Sequence, residues 1–207
     1  TDSSGNNNDA TLVGFSQPEP GTAPAPLGQA LVFPATAQAY VEVPVLSLNA
    51  ATGGANSISL WFYREASNVD DVLTLLPNSP RYDLWLTTRS VDEAGTDTYL
   101  CINTGHGDCF GVANATLLGR WVHVVAVFAN GPIDGGTLYI DGLEQVSACL
   151  TSAGFASCDA TGAAASPVDF GGATDFFYHG MMAELRVYDR ALTASEVAAL
   201  YSGAACP

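Results

Sequence analysis

The amino-acid sequence predicts an all-β fold of short strands, followed by a single helix near its end. Segments rich in Val, Ile, Leu, Phe, Tyr and Trp alternate with turn residues at short intervals along the chain. Hydrophobic residues fill 48% of the 207 positions and charged residues only 13%, which is typical of a packed domain rather than a disordered segment. We therefore expect residues 1–207 to form one domain.

Ten segments have the composition of strands. In chain order they are Leu12–Phe15, Ala30–Phe33, Tyr40–Val43, Ser57–Tyr63, Asp71–Leu76, Asp83–Thr87, Thr98–Asn103, Trp121–Ala129, Thr137–Asp141 and Glu184–Tyr188.

The side-chain pattern of two of these segments predicts where they lie in a sheet. Ile58, Leu60 and Phe62 alternate with other residues, so they share one face of a strand. The segment from Trp121 to Phe128 is apolar on both faces, which predicts a central strand that is covered on both sides. Trp61 and Trp121 are expected in the core.

One helix is predicted, from Thr193 to Tyr201. Thr193 and Glu196 have the spacing of a capping box, in which each residue satisfies a backbone N–H of the other. Gly203 is placed to end the helix, and the apolar side chains of this segment should pack on the strands.

The charge of the chain excludes several classes of function. There are 21 acidic and six basic residues, all six of them arginines, and the formal net charge is −15. Nucleic acids and anionic membranes both require a cationic surface, so neither is an expected partner. The absence of lysine excludes every chemistry that depends on a lysine amine. No apolar run approaches the roughly 18 residues of a membrane span.

The five cysteines favour an oxidising compartment. Cys101 with Cys109, and Cys149 with Cys158, are each close in sequence, and two short-loop disulfides are the simplest interpretation. Other pairings remain open, because five cysteines can form two bridges in several ways. Zinc is the alternative, although the usual ligand spacings are absent. Cys206 is left without a predicted partner in the chain.

Seven short sequence motifs are spread over nearly the whole chain. They are Asp2–Asn8, Gly28–Phe33, Tyr40–Pro44, Ser57–Phe62, Trp121–Val125, Leu138–Gly142 and Gly180–Leu192. Their order and spacing resemble the laminin G-like, concanavalin A-like jelly-roll family, particularly its bacterial extracellular branch. The resemblance implies a two-sheet antiparallel jelly-roll sandwich with one short C-terminal helix. It also implies an extracellular or cell-surface location.

The sequence departs from the family pattern in two places. Ala183 stands where the family usually has an aspartate, so any role of that aspartate is lost or moved. The family usually has a further strand before the Asp2 loop, so we expect either that the chain is a fragment or that another molecule donates this strand to an open sheet edge. The partner of Cys206 would then lie in the same missing segment.

The resemblance implies a structural calcium ion as the most plausible cofactor. Calcium prefers carboxylate, amide and carbonyl oxygens. The candidate ligands are Asp2, Asn6, Asn8 and Glu184. The alternative is an Asn- and Asp-rich turn that holds no metal, since both residues favour such turns.

Sugar binding would need exposed aromatic rings with polar neighbours. Two groups of residues have this composition. The first is Trp85 with Tyr82, Arg81 and Asp83, and the second is the run Phe176, Phe177, Tyr178 and His179 preceded by Asp175.

Catalytic motifs are absent from the sequence. Glycosidases of this architecture often carry Glu-x-Asp-x-x-Glu on one strand, and no such pattern occurs here. No Gly-x-Ser-x-Gly elbow is present either, and His123 is expected to be a packed strand residue. We therefore expect a non-catalytic extracellular module that binds glycan or a protein surface. The alternatives are a structural subunit completed by strand donation and, third, a glycan-cleaving enzyme.

Overall fold

The computed structural model describes residues 2–16, 20–23, 27–34, 38–44, 46–64, 70–76, 84–90, 98–104, 108–113, 115–151, 157–162, 168–173 and 176–203. In these residues one α-helix, α1, spans Ala194–Tyr201. The strands, numbered in chain order, are β1 Thr11–Val13, β2 Pro20–Thr22, β3 Gln29–Phe33, β4 Tyr40–Val43, β5 Ala55–Arg64, β6 Asp70–Leu76, β7 Leu84–Ser90, β8 Thr98–Asn103, β9 Phe110–Val112, β10 Trp121–Ala129, β11 Gly131–Pro132, β12 Thr137–Ile140, β13 Leu143–Glu144, β14 Ala148–Cys149, β15 Thr161–Gly162, β16 Val168–Phe170, β17 Gly172–Ala173, β18 Phe176–Phe177 and β19 Gly180–Tyr188.

Two large antiparallel sheets form a sandwich. The first has the order β1-β4-β16-β6-β7-β8-β9-β14, and the second has the order β13-β12-β10-β5-β19-β3-β2. The two shorter pairs are β11 with β15 and β17 with β18. The predicted all-β, jelly-roll sandwich with one short helix is confirmed.

The main core lies between the two sheets. Ile58, Leu60 and Phe62 of β5 have no exposed surface, as their alternation predicts, and they pack with Val41 and Phe170 of the other sheet. Burial of each such side chain is worth about 1.5–3 kcal/mol. This one core holds the two sheets together.

The outer face of the seven-stranded sheet has its own apolar cover. Strand β10 lies between β12 and β5, and its residues Val125 and Val127 face away from the main core. Val197 and Leu200 of α1 pack on them. The prediction of a central strand covered on both sides is therefore confirmed, and the helix supplies the second cover.

The helix begins and ends where its sequence predicts. Thr193 is the N-cap, and its backbone N–H donates to Glu196 Oε2 at 2.8 Å, while Glu196 N–H donates to Thr193 Oγ1 at 3.4 Å. Gly203 follows the C-cap with a φ of +74°, which a glycine adopts without steric cost.

Trp61 and Trp121 differ from the prediction that they lie in the core. Both are half-buried on the outer face, where they pack against one small apolar cluster that includes Ala183. The reason is the period of two along each strand, which turns Trp61 away from the face of Leu60 and Phe62.

Two disulfides join Cys101 to Cys109 and Cys149 to Cys158, which confirms the predicted pairing. Their Cα atoms are 5.3 Å and 5.7 Å apart, within the range for this bond. Both lie near one edge of the eight-stranded sheet, where β8, β9 and β14 are neighbours. Cys206 lies outside the described residues.

Several strands extend beyond their predicted bounds. The last long strand begins at Gly180 rather than at Glu184, because its first residues already pair with β3 and β5. The segment predicted as Asp83–Thr87 is observed as Leu84–Ser90. With eight residues, α1 is too short to span a bilayer, and it is the one α-helix in the described part of the chain.

Candidate functional site

A pocket of about 210 Å³ opens on the outer face of the seven-stranded sheet. Three neighbouring strands form its floor: β5 supplies Ser59 and Trp61, β10 supplies His123, and β19 supplies Arg186. The register explains this grouping, because Trp61 is paired with His123, and Ser59 is paired with Arg186. Side chains at paired positions point to the same face, so all four meet there.

A β-bulge in β19 adds the fourth polar group, the carboxylate of Glu184. Ala183 pairs with Trp61 and Arg186 pairs with Ser59, so β19 has one more residue than β5 in this interval. The extra residue lets both Glu184 and Arg186 line the pocket.

Glu184 has a backbone φ of +53°, a left-handed conformation that residues other than glycine rarely adopt. Its carboxylate accepts a hydrogen bond from Arg186 Nη2 at 2.5 Å. The charge of the arginine is therefore already balanced within the pocket.

His123 is a buried residue with one unsatisfied ring nitrogen. The side chain is 1% exposed, and its Nε2 lies 3.0 Å from Ser59 Oγ. Its Nδ1 has no hydrogen-bond partner among the described residues. Burial lowers the pKa of His123 to about 4, against a smaller opposite contribution from Asp141. The imidazole is consequently neutral at neutral pH, with one donor and one acceptor nitrogen.

Three rings form an aromatic cluster beside these polar groups. The rings of Trp61 and Tyr201 are stacked, with centroids 5.6 Å apart and an interplanar angle of 16°. The His123 ring is 5.1 Å from that of Trp61 and tilted by 38°. Tyr201 is the last residue of α1, so helix docking and this cluster depend on each other.

The walls come from elements outside the floor. Leu27 belongs to the connection between β2 and β3, beyond β19 in the sheet. Leu200 and Gly203 come from the end of α1, which packs over the β10 and β12 side. The pocket thus combines apolar walls with hydroxyl, imidazole, carboxylate and guanidinium groups, a composition typical of small-molecule sites.

The hairpin next to the pocket is fixed by Asp141. This residue and Gly142 have φ values of +51° and +80°, and they connect β12 to β13 in a two-residue turn. Asp141 Oδ1 accepts from the backbone N–H of His123 at 3.1 Å, and Oδ2 accepts from Arg120 Nη1 at 2.7 Å. These bonds tie the turn to the strand that carries His123.

The loop that holds three of the predicted calcium ligands has hydrogen bonds of its own. The Asp2 carboxylate accepts from the backbone N–H groups of Ser4 at 2.7 Å and of Asn8 at 2.9 Å, and the Asn6 N–H donates to Ser4 Oγ at 3.3 Å. The hydrogen bond from the backbone of Asn8, and after it the bond from Ser4, hold the pKa of the Asp2 carboxyl below its usual value. This loop precedes β1 of the eight-stranded sheet.

Glu184, the fourth predicted ligand, lies on the other sheet and bonds to Arg186. Among the described residues, no three His, Cys, Asp or Glu side chains are grouped to hold a metal ion. Calcium therefore stays a prediction.

The aromatic run before β19 divides between core and surface. Tyr178 is 1% exposed, its ring packs against Phe33 and Phe62, and its hydroxyl donates to the carbonyl of Tyr63 at 2.6 Å. This burial excludes Tyr178 from the predicted ligand surface. Phe177 and His179 are half-buried. Asp175 lies outside the described residues.

The other predicted sugar site falls largely outside the described residues, which include neither Arg81, Tyr82 nor Asp83. The backbone of Trp85 lies in β7, where it pairs with Leu75 and Asn103. That position is on the eight-stranded sheet, away from the floor strands of the pocket.

Two carboxylates lie side by side on neighbouring strands of the eight-stranded sheet. Asp169 of β16 is paired directly with Glu42 of β4. Burial, followed by the charge of Glu42, raises the pKa of Asp169 to about 6. The Oδ1 atom of Asp169 is buried and has no hydrogen-bond partner in the described part of the chain.

Sequence reasoning missed Ser59, Trp61, His123 and Arg186 as a site. A signal was present in β10, where a histidine interrupts an otherwise apolar outer row. The groups come from strands far apart in the sequence, and only their register brings them together.

Comparison with solved structures gives the same fold in proteins of different activity. The structure of domain 4 of AbnA, a GH43 extracellular arabinanase from Geobacillus stearothermophilus, in complex with arabinotriose, is 22% identical, with a TM-score of 0.63. That match covers 96% of this chain and 91% of the other.

The receptor binding domain of botulinum neurotoxin D is 12% identical, with a TM-score of 0.61, and the match covers 95% of this chain and 48% of that one. A Trypanosoma rangeli sialidase mutant displaying trans-sialidase activity is 13% identical, with a TM-score of 0.53, and the match covers 88% and 28% of the two chains. At these identities the likeness shows the fold alone.

No curated protein sequence matches the chain. A laminin G-type family model, described as the concanavalin A-like lectin/glucanases superfamily, matches residues 35–198. This span is most of the chain and includes the strands that form the floor of the pocket. The chain therefore belongs to the concanavalin A-like lectin/glucanases superfamily.

Proposed function

We propose that the chain is a non-catalytic, extracellular carbohydrate-recognition domain. The observation that carries this proposal is the pocket that joins the Trp61 ring to Ser59, His123 and the Glu184–Arg186 pair. Sugars present apolar ring faces and many hydroxyl groups, so they need aromatic and paired polar partners in one place. The two disulfides support an oxidising, extracellular environment.

The structural neighbours support a carbohydrate ligand without identifying it. One is an arabinanase domain in complex with arabinotriose. Another is a botulinum neurotoxin serotype D ligand binding domain in complex with N-acetylneuraminic acid. We therefore expect a sugar, rather than a protein surface, in the pocket of this chain.

The proposal is tested by titrating the purified chain with a panel of glycans and following tryptophan fluorescence and NMR shifts. Trp61→Ala should reduce affinity at least about tenfold, equivalent to 1.4 kcal/mol, whereas Trp61→Phe should keep most of it. Trp121→Ala is the matched control, because Trp121 lies on the same face but does not line the pocket. Binding that survives Trp61→Ala and is lost with Trp121→Ala would contradict the assignment.

The absence of catalysis is a separate part of the proposal. Glycoside hydrolysis uses two carboxyl groups, and of the described residues that line the pocket only Glu184 has one. We expect no release of products when the chain is incubated with the glycans that it binds. Release that is abolished by Asp169→Asn would instead assign hydrolysis to the Glu42 and Asp169 pair.

Strand donation is a second candidate function. Strand β1 is the outermost strand of the eight-stranded sheet, and Leu12 in it is exposed. Exposed edges of this kind are templates for a strand of another chain. Light scattering of the natively isolated protein tests this, since a particle of the mass of one chain would contradict it.

Calcium at the Asp2 loop is tested by metal analysis after exhaustive dialysis. About one bound calcium ion per chain, with a lower content in the Asp2→Ala variant, would support the site. A metal-free protein with unchanged stability in the presence of calcium would remove it.

A further inference from the structure

We infer that the pocket recognises the terminal residue of an uncharged glycan through adjacent hydroxyl groups. This inference rests on the proposed carbohydrate-binding function and adds the class and the position of the sugar. It is drawn from the charge, the hydrogen-bonding groups and the size of the pocket.

Charge is the first reason. Arg186 is the one cationic side chain among the described residues that line the pocket, and Glu184 neutralises it across 2.5 Å. His123 adds no charge at neutral pH, because burial holds its pKa at about 4. The chain as a whole carries −15, which repels anions. A carboxylated sugar would have to replace Glu184 at Arg186 and leave the glutamate unpaired.

The hydrogen-bonding groups are the second reason. Arg186 can only donate and Glu184 can only accept, and the two lie side by side. Neighbouring hydroxyl groups on a sugar ring can satisfy both at once, since each hydroxyl donates and accepts. The Nδ1 of His123 has no partner among the described residues but is itself buried, so Arg186 and Glu184 carry the recognition. A carboxylate only accepts, and it cannot satisfy this mixed set.

Size is the third reason. A volume of about 210 Å³ is smaller than the range of roughly 300–1,000 Å³ that holds drug-sized ligands. Leu27 closes one side, and Leu200 with Gly203 closes the side of the helix. This volume suits one sugar ring, and we infer that the rest of the glycan extends toward solvent. Recognition is therefore of a chain end, with little gained from further residues.

Calorimetric titration of the full chain tests the inference with neutral monosaccharides, their linear oligomers, and the matching uronic acids and N-acetylneuraminic acid. We expect neutral sugars to bind at least about tenfold more tightly than the acidic ones. We also expect affinity to change by less than about threefold as oligomers lengthen, because one ring makes most of the contacts.

Glu184→Gln provides a gain-of-function test. The substitution removes the balancing charge and keeps the shape, so Arg186 becomes available to a carboxylate. The preference for neutral sugars should shrink at least about tenfold or reverse. Arg190→Gln is the matched control, because Arg190 bonds to Glu196 at 2.7 Å outside the pocket. It should leave the preference unchanged.

The outcomes separate the inference from the proposed function. Tighter binding of acidic sugars by the unmodified chain, with pocket resonances shifted, would overturn the inference and keep the carbohydrate-binding function. Affinity that rises more than about tenfold with oligomer length would likewise overturn recognition of a chain end. If no sugar shifts the resonances of Trp61 or His123 in the folded protein, the proposed function itself fails.

Discussion

At the scale of single residues, Glu184 combines an unfavourable backbone conformation with a position in the pocket. A backbone φ of +53° costs of order 1 kcal/mol in a residue other than glycine, asparagine or aspartate. Such conformations persist where the surroundings hold them, and they are frequent at functional sites. Here the bulge between Ala183 and Arg186 holds it.

Glu184→Gly should therefore stabilise the fold while it weakens sugar binding. The glycine relieves the left-handed strain, and the half-exposed ion pair with Arg186 contributes little to stability. We expect a gain of up to about 1 kcal/mol in the free energy of unfolding, measured in urea. A loss of stability together with unchanged binding would show that the conformation has no functional role.

Asp169 makes stability depend on pH in the direction opposite to that of most carboxyl groups. Its pKa is about 6 in the folded protein, raised by burial and by Glu42, against 3.8 for the ordinary group. The folded state thus binds the proton more tightly, so this contribution to stability is present below about pH 4 and is lost as pH rises through 6.

Asp169→Asn should raise the free energy of unfolding at pH 7 by about 1–3 kcal/mol, with little change at pH 4. Urea unfolding of both proteins at the two pH values measures the difference. Because other groups such as His123 titrate in the same range, the comparison between variant and parent isolates Asp169. An equal effect at both pH values would contradict the assignment.

At the scale of elements, helix α1 is stabilised by its cap and joined to the pocket by its last turn. Thr193 and Glu196 close the capping box at one end, and Tyr201 stacks on Trp61 at the other. Loss of the cap should destabilise the helix without removing a residue that lines the pocket.

Thr193→Ala should lower the free energy of unfolding by about 1 kcal/mol, whereas Thr193→Ser should be nearly neutral, since serine is an equally good cap. Thermal unfolding measures both changes. Hydrogen exchange of α1 should rise in the alanine variant before that of β10 does. Equal exchange of the helix in both variants would argue that packing alone holds it.

The elements also show what could be predicted from the sequence. The buried face of β5 and the capped helix follow from local spacing, because periods of 2 and 3.6 residues are properties of neighbouring positions. The pocket does not, since Trp61, His123 and Arg186 meet only through the pairing of three distant strands and a one-residue shift in β19. The same alternation also turned Trp61 outward, where composition alone favoured the core.

At the scale of the whole molecule, the pocket and the disulfides occupy different sheets. The pocket lies on the seven-stranded sheet, and both bridges lie near the β8, β9 and β14 edge of the other. Stability from the bridges should therefore be separable from binding.

The double substitution Cys149→Ser and Cys158→Ser should cost about 2–3 kcal/mol, as expected for a bridge that closes a loop of 9 residues. Sugar affinity should remain within about twofold of the parent under conditions where the variant is folded. Unfolding in urea and calorimetric titration provide the two measurements. A parallel loss of affinity would show that the two sheets are coupled.

The contribution of α1 to the pocket also has a mechanical consequence. Tension applied to the chain beyond Gly203 would act first on the last turn of the helix, where Leu200 and Tyr201 meet the wall and the stacked rings. A pull strong enough to peel that turn from Trp61 would open the pocket before it separated the strands.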